Sequence, residues 1–549
     1  MANQVKKSHK TLWIVLSAVL AVFVIAALCV DGFATKQVSE QLHKLSMQDN
    51  LTLEWSDLDV RLIHGSFSVD DLMVELTVPE NDSIKNDSAF IRMTIPHLYA
   101  GHIHWIKAAR QRILHLDRIT VERPVLTARS AKDVLDALAE QPKDTAVQNP
   151  LQGVRVDRFK LKEAAGDITN CNDKLHLGID SLNITLRDLS FNFADTTFGI
   201  CDSLYLLTAS NMLFCSEDGL TKATVDRFYT ADAGPIRLGG INGGNTDKKA
   251  EHAHRMGNIA ATWMQFSMRD IHTSPVNIIR TAMNKELKLD SLLISGNSME
   301  IYRDHQFAPK EKYPMPQEDM MKSEVPFLID HMLIDVDKFV ISLTENGKDV
   351  GTLAFTHNNI HMSNITNAQG SVVKTVVTNR LSDGGSVKMG MDMTVNPACS
   401  FTFHQEMTKT HGSTLAALTV PVMGVAIGAD IHSLRLDCKG DKHSLQGKFC
   451  MQYDSLTLHV EENTPIEDLA KTAGIVNLFA PVVLQKQNPR HADQPAESFD
   501  VQGKRDPWKP FPFYFMDPIT EGIMKTILPL SMAESVLKSQ QKAAQKKGK

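Results

Sequence analysis

Past residue 50 the chain runs in short stretches where apolar and polar residues alternate, cut by Gly, Asn, Asp and Pro; this predicts strands with one apolar face. Many of these stretches share a pattern: "FSVDDLMVEL" from Phe67, "LHLDRITV" from Leu114, "VRVDRFKL" from Val154, "LGIDSLNITL" from Leu177, "GICDSLYL" from Gly199, "ATVDRFYT" from Ala223, "LKLDSLLI" from Leu287, "FLIDHMLI" from Phe327 and "MQYDSLTLHV" from Met451. Asp157, Asp180, Asp202 and Asp226 follow one another at 23, 22 and 24 residues. Such an interval suits two ordinary strands with their turns, placing the Asp on every second strand. Roughly 25 strands would fill the chain at ordinary strand lengths.

The phase of the alternation says more. In "LHLDRITV" the apolar positions are Leu114 and Leu116, then Ile119 and Val121, one residue late. A slip of one residue sends side chains to the opposite face unless the strand bulges or bends there. Each repeat is therefore expected to bend at its Asp pair, keeping both arms' apolar side chains on one side and curling an antiparallel sheet into a groove. A residue reissued along a ladder is a bend marker in this reading; a catalytic carboxylate belongs to one convergent constellation.

Few helices are available to cover that face. Helical spacing appears at 130–142, at 274–286, in a third stretch from Ser413, and in the closing segment through Ile519, Ile523, Met524, Ile527 and Leu528, where Pro529 should interrupt it. That last stripe suits either a cap on the end of the groove or a membrane surface. An apolar face left uncovered on a folded body implies an apolar occupant.

Residues 11–30 hold no charge over a length that crosses a bilayer as a helix, and Lys6, Lys7 and Lys10 precede them. The positive-inside rule then leaves 1–10 in the cytoplasm and exports the rest. Cleavage after a small-residue site near Gly32 is the competing reading. The formal charge is −6; without those three lysines and the five between Lys538 and Lys549 it becomes −14, so an acidic body lies between two basic ends suited to anionic headgroups. Nucleic acid is not an expected partner of an acidic body.

An exported domain can be oxidised, and Cys201 with Cys215, and Cys438 with Cys450, flank the turn-like stretches "TASN" and "KGDKHS", which predicts a disulfide in each hairpin. His102 with His104, and His252 with His254, make two pairs, but two imidazoles are too few for a metal without a third ligand from elsewhere, so no metal is expected and these read as surface or loop histidines. "GGINGGNTDKK" from Gly239 lacks Walker spacing and reads as a long loop. With no nucleophile elbow, metalloprotease or nucleotide motif, neither an enzyme nor a cofactor is expected.

The anchor, the strand "AFIRMTIPHLYAGHI", the stretch "LHLDRITVERPVLTAR" closed by Pro124, and the C-terminal "ADIHSLRLDCKGDKHSLQGKFCMQYDSLTLHV", "NLFAPVVLQKQNPR" and "GKRDPWKPFPFYFMDPITEGIMKTIL" together resemble the AsmA-like proteins of Gram-negative bacteria, within the repeating β-groove, bridge-like lipid transfer class. Asn488-Pro489-Arg490 and Arg505-Asp506 stand where the family has them. The resemblance implies a mainly β fold: anchor 11–30, an N-terminal β region 31–145, a central repeating groove 146–410, a C-terminal β region 411–517, and an amphipathic helix with basic tail 518–549. It further implies an inner-membrane, periplasm-facing protein that binds phospholipid acyl chains and assists their movement between inner and outer membranes. The competing class is a scaffold aiding outer-membrane protein assembly or envelope organisation, with outer-membrane or other envelope proteins as partners. Residues expected to line the groove are Ile119, Val121, Phe159, Leu161, Leu182, Ile184, Leu204, Leu292, Ile294, Leu456 and Leu458.

Overall fold

The computed structural model describes residues 51–61, 65–77, 89–104, 110–129, 152–170, 175–192, 197–199, 205–249, 251–252, 262–304, 312–345, 348–416, 420, 425–460, 485–491, 493–528 and 533. The expected anchor and its leading tail, the helix at 130–142 and the lysine tail lie outside these residues. Among the described residues no helix is long and apolar enough to cross a membrane. The fold is mainly β with few short helices, as expected, and the chain divides into two compact units: 1–241 with 275–280, and 242–274 with 281–549.

In the first unit β1 (Leu51–Glu54) and β2 (Asp57–Arg61) pair with the two halves of β3 (Ser66–Thr77), which pairs with β4 (Phe90–Ile103). β5 (Ile113–Glu122) takes one half of β4 and β6 (Val125–Arg129) the other. Between them lies Pro124, which cannot donate to a ladder. Both then run parallel to β7 (Gly153–Thr169), followed antiparallel by β8 (His176–Asn192), with β9 (Thr197–Gly199) and β10 (Leu206–Cys215) on β8 and β11 (Thr221–Ala231) on β10. β12 (Arg237–Asn245) contains the division between the units. The stretch read as a glycine loop is thus largely strand. Gly240 there has φ +64°, and a Cβ on it would meet the Asp226 carboxylate.

The second unit begins with β13 (Trp263–Thr273), antiparallel to β14 (Leu287–Asp304), which is parallel to β15 (Phe327–Glu345). From β15 the order is antiparallel and sequential: β16 (Lys348–Thr366), β17 (Val372–Leu381), β18 (Ser386–Thr394), β19 (Phe401–His411), β20 (Val425–Gly440), β21 (Ser444–Val460) and β22 (Ser498–Lys504). An all-antiparallel sheet was expected; the pairings of β5 and β6 with β7, and of β14 with β15, are parallel. Among the described residues, helices with both ends in view are α1 (Ile278–Asn284), inside the expected 274–286, α2 (Pro316–Met321) and α3 (Met516–Ile527). The stretch expected to be helical from Ser413 opens as a 3-10 turn at Gly412–Leu415, Ala416 and Val420 are helical, and 417–419 and 421–424 lie outside the described residues. Its far end, Val425 to Gly428, is strand because it pairs with β21.

The phase slips are bends. β5 buries Leu114, Leu116, Ile119 and Val121, and β3 buries Phe67 and Val69, then Leu72 and Val74, so both arms keep their apolar side chains on one side. The bends align across strands. His102 has φ +57° on β4; in register with it lie Asp117 on β5 and Asp157 on β7, and then Asp188 on β8 with φ +52°. A second line runs through Asp71, Arg123 and Glu163, all with positive φ. In a third, Asn211 on β10 (φ +50°) lies between Asp180 and Asp226, its amide donating to Asp180 at 2.9 Å. In the second unit Asn364 and His357 take this conformation opposite Asp330 and Asp337, and Ser455 takes it beside Asp454. Left-handed backbone admits Asn, Asp and His more readily than other side chains, which accounts for His102, Asp188, Asn211, His357 and Asn364. The repeated Asp117, Asp157, Asp180 and Asp226 stand opposite such residues and are not themselves left-handed. One expectation fails: Asp157 and Asp180 sit on adjacent strands, because β7 and β8 are 17 residues each and one strand with its turn fills the interval.

Each unit has a closed core. One gathers Leu53, Phe67, Leu72, Ile95, Leu98 and Leu116 among its members. The other joins β16 to β22 with α3, whose Ile523, Met524 and Ile527 are at most 2% exposed. The stripe of α3 is spent on β21 and β22, which is the capping alternative; a Cβ on Gly522 would enter the Phe449 ring. Leu528, before Pro529, is already extended, as the residue preceding a proline should be.

Candidate functional site

β8 has partners on both sides, yet none of its 17 residues is buried. A central strand of an ordinary domain loses at least one face to packing. Here the face that carries Ile179, Leu182, Ile184 and Leu186 stays half-exposed among the described residues. The register extends these positions into rungs. Val121, Leu161, Ile184 and Leu207 stand in line on β5, β7, β8 and β10. Ala164, Leu182, Ala209 and Phe228 form the next rung, then Gly166, Ile179, Met212 and Val225.

The second unit repeats the arrangement. Ile271, Ile294, Ile334, Ile360 and Val377 line up across β13 to β17, each half-buried. Beside that rung run Leu292, Met332 and Met362, and further along Phe266, Met299, Phe339 and Phe355, with the last two rings stacked at 6.1 Å between centroids. β-branched and aromatic residues at facing positions stabilise a pleated face, and Met332, Met362 and Phe355 also pack against the second unit's core.

The residues expected to line a groove therefore fall into groups. Leu182 and Ile184 lie on the half-exposed face of the first unit, and Leu292 and Ile294 on that of the second, while half-buried Phe159 and Leu161 pack against the first unit's closed core. Ile119 and Val121 share rungs with Phe159 and Leu161 but belong to the closed core at 4% and 5% exposure. Leu456, at 8%, is packed in the other core, Leu458 is placed by its backbone opposite Ile427, and Leu204 lies outside the described residues. Sequence reasoning missed Met212, Phe228, Ile271, Ile334 and Ile360; only cross-strand register singles them out.

The disulfides are not formed. Cys438 and Cys450 are free because their hairpin sets Cys438 against Gly447 and Cys450 against Arg435, with Cys438 on the buried face and Cys450 on the other. Burial, together with neighbouring Asp437, pushes the Cys438 thiol up to about 12. Cys215 is also free; Cys201 lies outside the described residues. "TASN" is no turn but the middle of β10, where the bend at Asn211 imitates turn composition. The motifs of the C-terminal resemblance are structural. Asn488 is 1% exposed, donates to Met451 O at 2.7 Å and accepts from Glu497 N at 2.9 Å, while Arg505 donates to the carbonyls of Lys509 and Tyr313.

Compared with known protein families and with curated proteins, the chain matches no family model and no curated protein.

Proposed function

We propose that this chain is a membrane-anchored, periplasm-facing protein that holds phospholipid acyl chains against its apolar rungs and assists their movement between inner and outer membranes. The observation that carries the reading is β8: a strand paired on both sides, unburied along its whole length, with leucine and isoleucine on one face. An acyl chain laid on that face would remove water from both partners, gaining about 0.8 kcal/mol per buried methylene. The rungs are chemically uniform from strand to strand and offer no polar group to fix a headgroup, which suits cargo that moves along a face. Binding is passive in this mechanism; no residue acts as acid, base or nucleophile.

Photo-crosslinking in cells tests it, with the probe at Leu182 or Leu292 and a control at Thr185 on the other face of β8. Phospholipid adducts at the first two positions alone support the reading. Adducts to protein, or none, favour the anchored scaffold for envelope assembly, which carries no lipid.

A further inference from the structure

His102 and His104 lacked a third ligand in the sequence; the fold supplies it. The backbone N–H of His104 donates to the carbonyl of His115 at 3.0 Å, which sets the two histidines face to face at the ends of β4 and β5, their rings stacked with centroids 4.6 Å apart. Asp117 follows two residues along β5, on the same side as His115, and its Oδ1 lies 2.7 Å from His104 Nε2. One ligand atom from each of His104, His115 and Asp117 falls within 4.8 Å of the others. His102 Nδ1 stands 3.9 Å from the second oxygen of Asp117.

We propose that His104, His115 and Asp117 bind a divalent transition-metal ion, zinc by preference, on the outer face of the first unit. Two imidazoles and one carboxylate suit zinc, whose nitrogen and oxygen ligands lie at about 2.0–2.2 Å, so side-chain rotations close the present separation. Three protein ligands leave a fourth position for water or for His102. A second shell is in place. Asp157 Oδ1 touches His115 Nε2 at 2.8 Å, the arrangement by which a carboxylate orients a ligating imidazole. Arg155 is shared between Asp157 at 3.6 Å and Asp188 at 3.4 Å. The carboxylates of Asp117 and Asp157 match the charge of a divalent ion.

The bend line builds this cluster. Because His102 is left-handed and Asp117 and Asp157 stand in register with it, the outward side chains of β4, β5 and β7 converge there, while Leu114 and Leu116 point into the core at 1% and 0% exposure. His97 with Asp70, at 2.6 Å on β4 and β3, is a histidine–aspartate pair of the same kind outside this cluster and serves as the internal control. An ion would pin the end of β4 to β5 on the face opposite the apolar core, independently of any lipid.

The test is cobalt and zinc binding to the full chain in detergent, purified without a histidine tag. Wild-type protein is expected to take one equivalent of Co2+ with the intense visible absorption of a tetrahedral site, displaced by Zn2+. His104→Ala and Asp117→Asn should abolish that absorption, Asp157→Asn should weaken affinity about 10- to 100-fold, and His97→Asn should leave it unchanged, each variant checked for folding by circular dichroism. Equal binding by wild type and the His104 and Asp117 variants overturns the assignment, as does no saturable binding by wild type. If the variants misfold, X-ray absorption of zinc-loaded wild type decides: imidazole scattering from two histidines supports the site, and an oxygen-only shell overturns it.

Discussion

Asp188 on β8 takes a left-handed backbone, φ +52°, directly across from Asp157 on β7, where the ladder lacks the pair that Val156–Leu189 and Arg158–Arg187 flank. A left-handed L-residue costs about 1–2 kcal/mol, and a β-branched one more. Asp188→Gly is therefore expected to hold or raise stability, whereas Asp188→Val should lower it by about 1–3 kcal/mol. Urea unfolding of both variants checks this. If Val were tolerated as well as Gly, the bend would not depend on that conformation.

The open face and the closed cores should answer truncation differently. Phe449 is fully buried against α3, so Phe449→Ala is expected to lose about 3–5 kcal/mol. Ile294, half-buried on its rung, should lose only about 1 kcal/mol on changing to Ser, since less of its surface leaves water on folding. Comparison of the two denaturation midpoints measures how open the face is without any lipid.

These two cases show what the sequence made legible. The one-residue slip at Asp117 and Arg118 is readable because burial of Leu116 and Ile119 on one side leaves no other phase. Strand length was not readable: β7 and β8 continue through their bends, so local composition suggested breaks where the ladder persists. Asn211 misled for the same reason, since a left-handed residue inside a strand and one inside a turn draw on the same amino acids. Parallel pairing of β14 with β15 depends on how the chain crosses between them, which no alternation encodes. His115 meets His104 only through register, eleven residues further along the chain, so the sequence did not single it out as a partner of the His102–His104 pair.

Asn488 ties β21 to the segment that follows. Its backbone exchanges hydrogen bonds with Tyr453 at 3.0 and 3.2 Å, and its side chain serves Met451 and Glu497. Asn488→Ala would strand buried backbone groups, for about 2–4 kcal/mol. Asn488→Asp should do no better, because an acceptor would then face the Met451 carbonyl. Thermal melting of both variants is the measurement.

Thiol mapping checks the cysteines. Cys438, buried and with its thiol at about 12, should resist alkylation in the folded protein, while half-buried Cys450 reacts faster, and reduction should release no further thiol from either. A mass corresponding to a Cys438–Cys450 bridge would contradict the register of β20 and β21.

Asp383, at the turn between β17 and β18, accepts from Gly385 N, Thr410 Oγ1, His411 N and Thr414 Oγ1. Burial pushes its carboxyl up, but these four donors outweigh that and hold it below the usual carboxylate range. A depressed carboxyl contributes stability that is present above its unfolded value of about 4 and lost as pH falls through the folded one. Asp383→Asn should thus be less stable than wild type near neutrality, by about 1 kcal/mol given the exposure of the group. The two should converge as acid removes the wild-type charge, and a series of melting temperatures against pH reads the convergence.

The parallel junction at β14 and β15 has a consequence for the order in which the chain acquires its structure. From β15 to β21 most strands meet the preceding one across a short turn, so they can zip sequentially with little loop entropy to overcome at each step. β15 meets β14 forty residues down the chain, Leu287 opposite Phe327, and must wait for a crossover to swing back. Contacts of that separation form slowly. The long isoleucine rung across β13 to β17 is therefore complete only after its two halves have each been built.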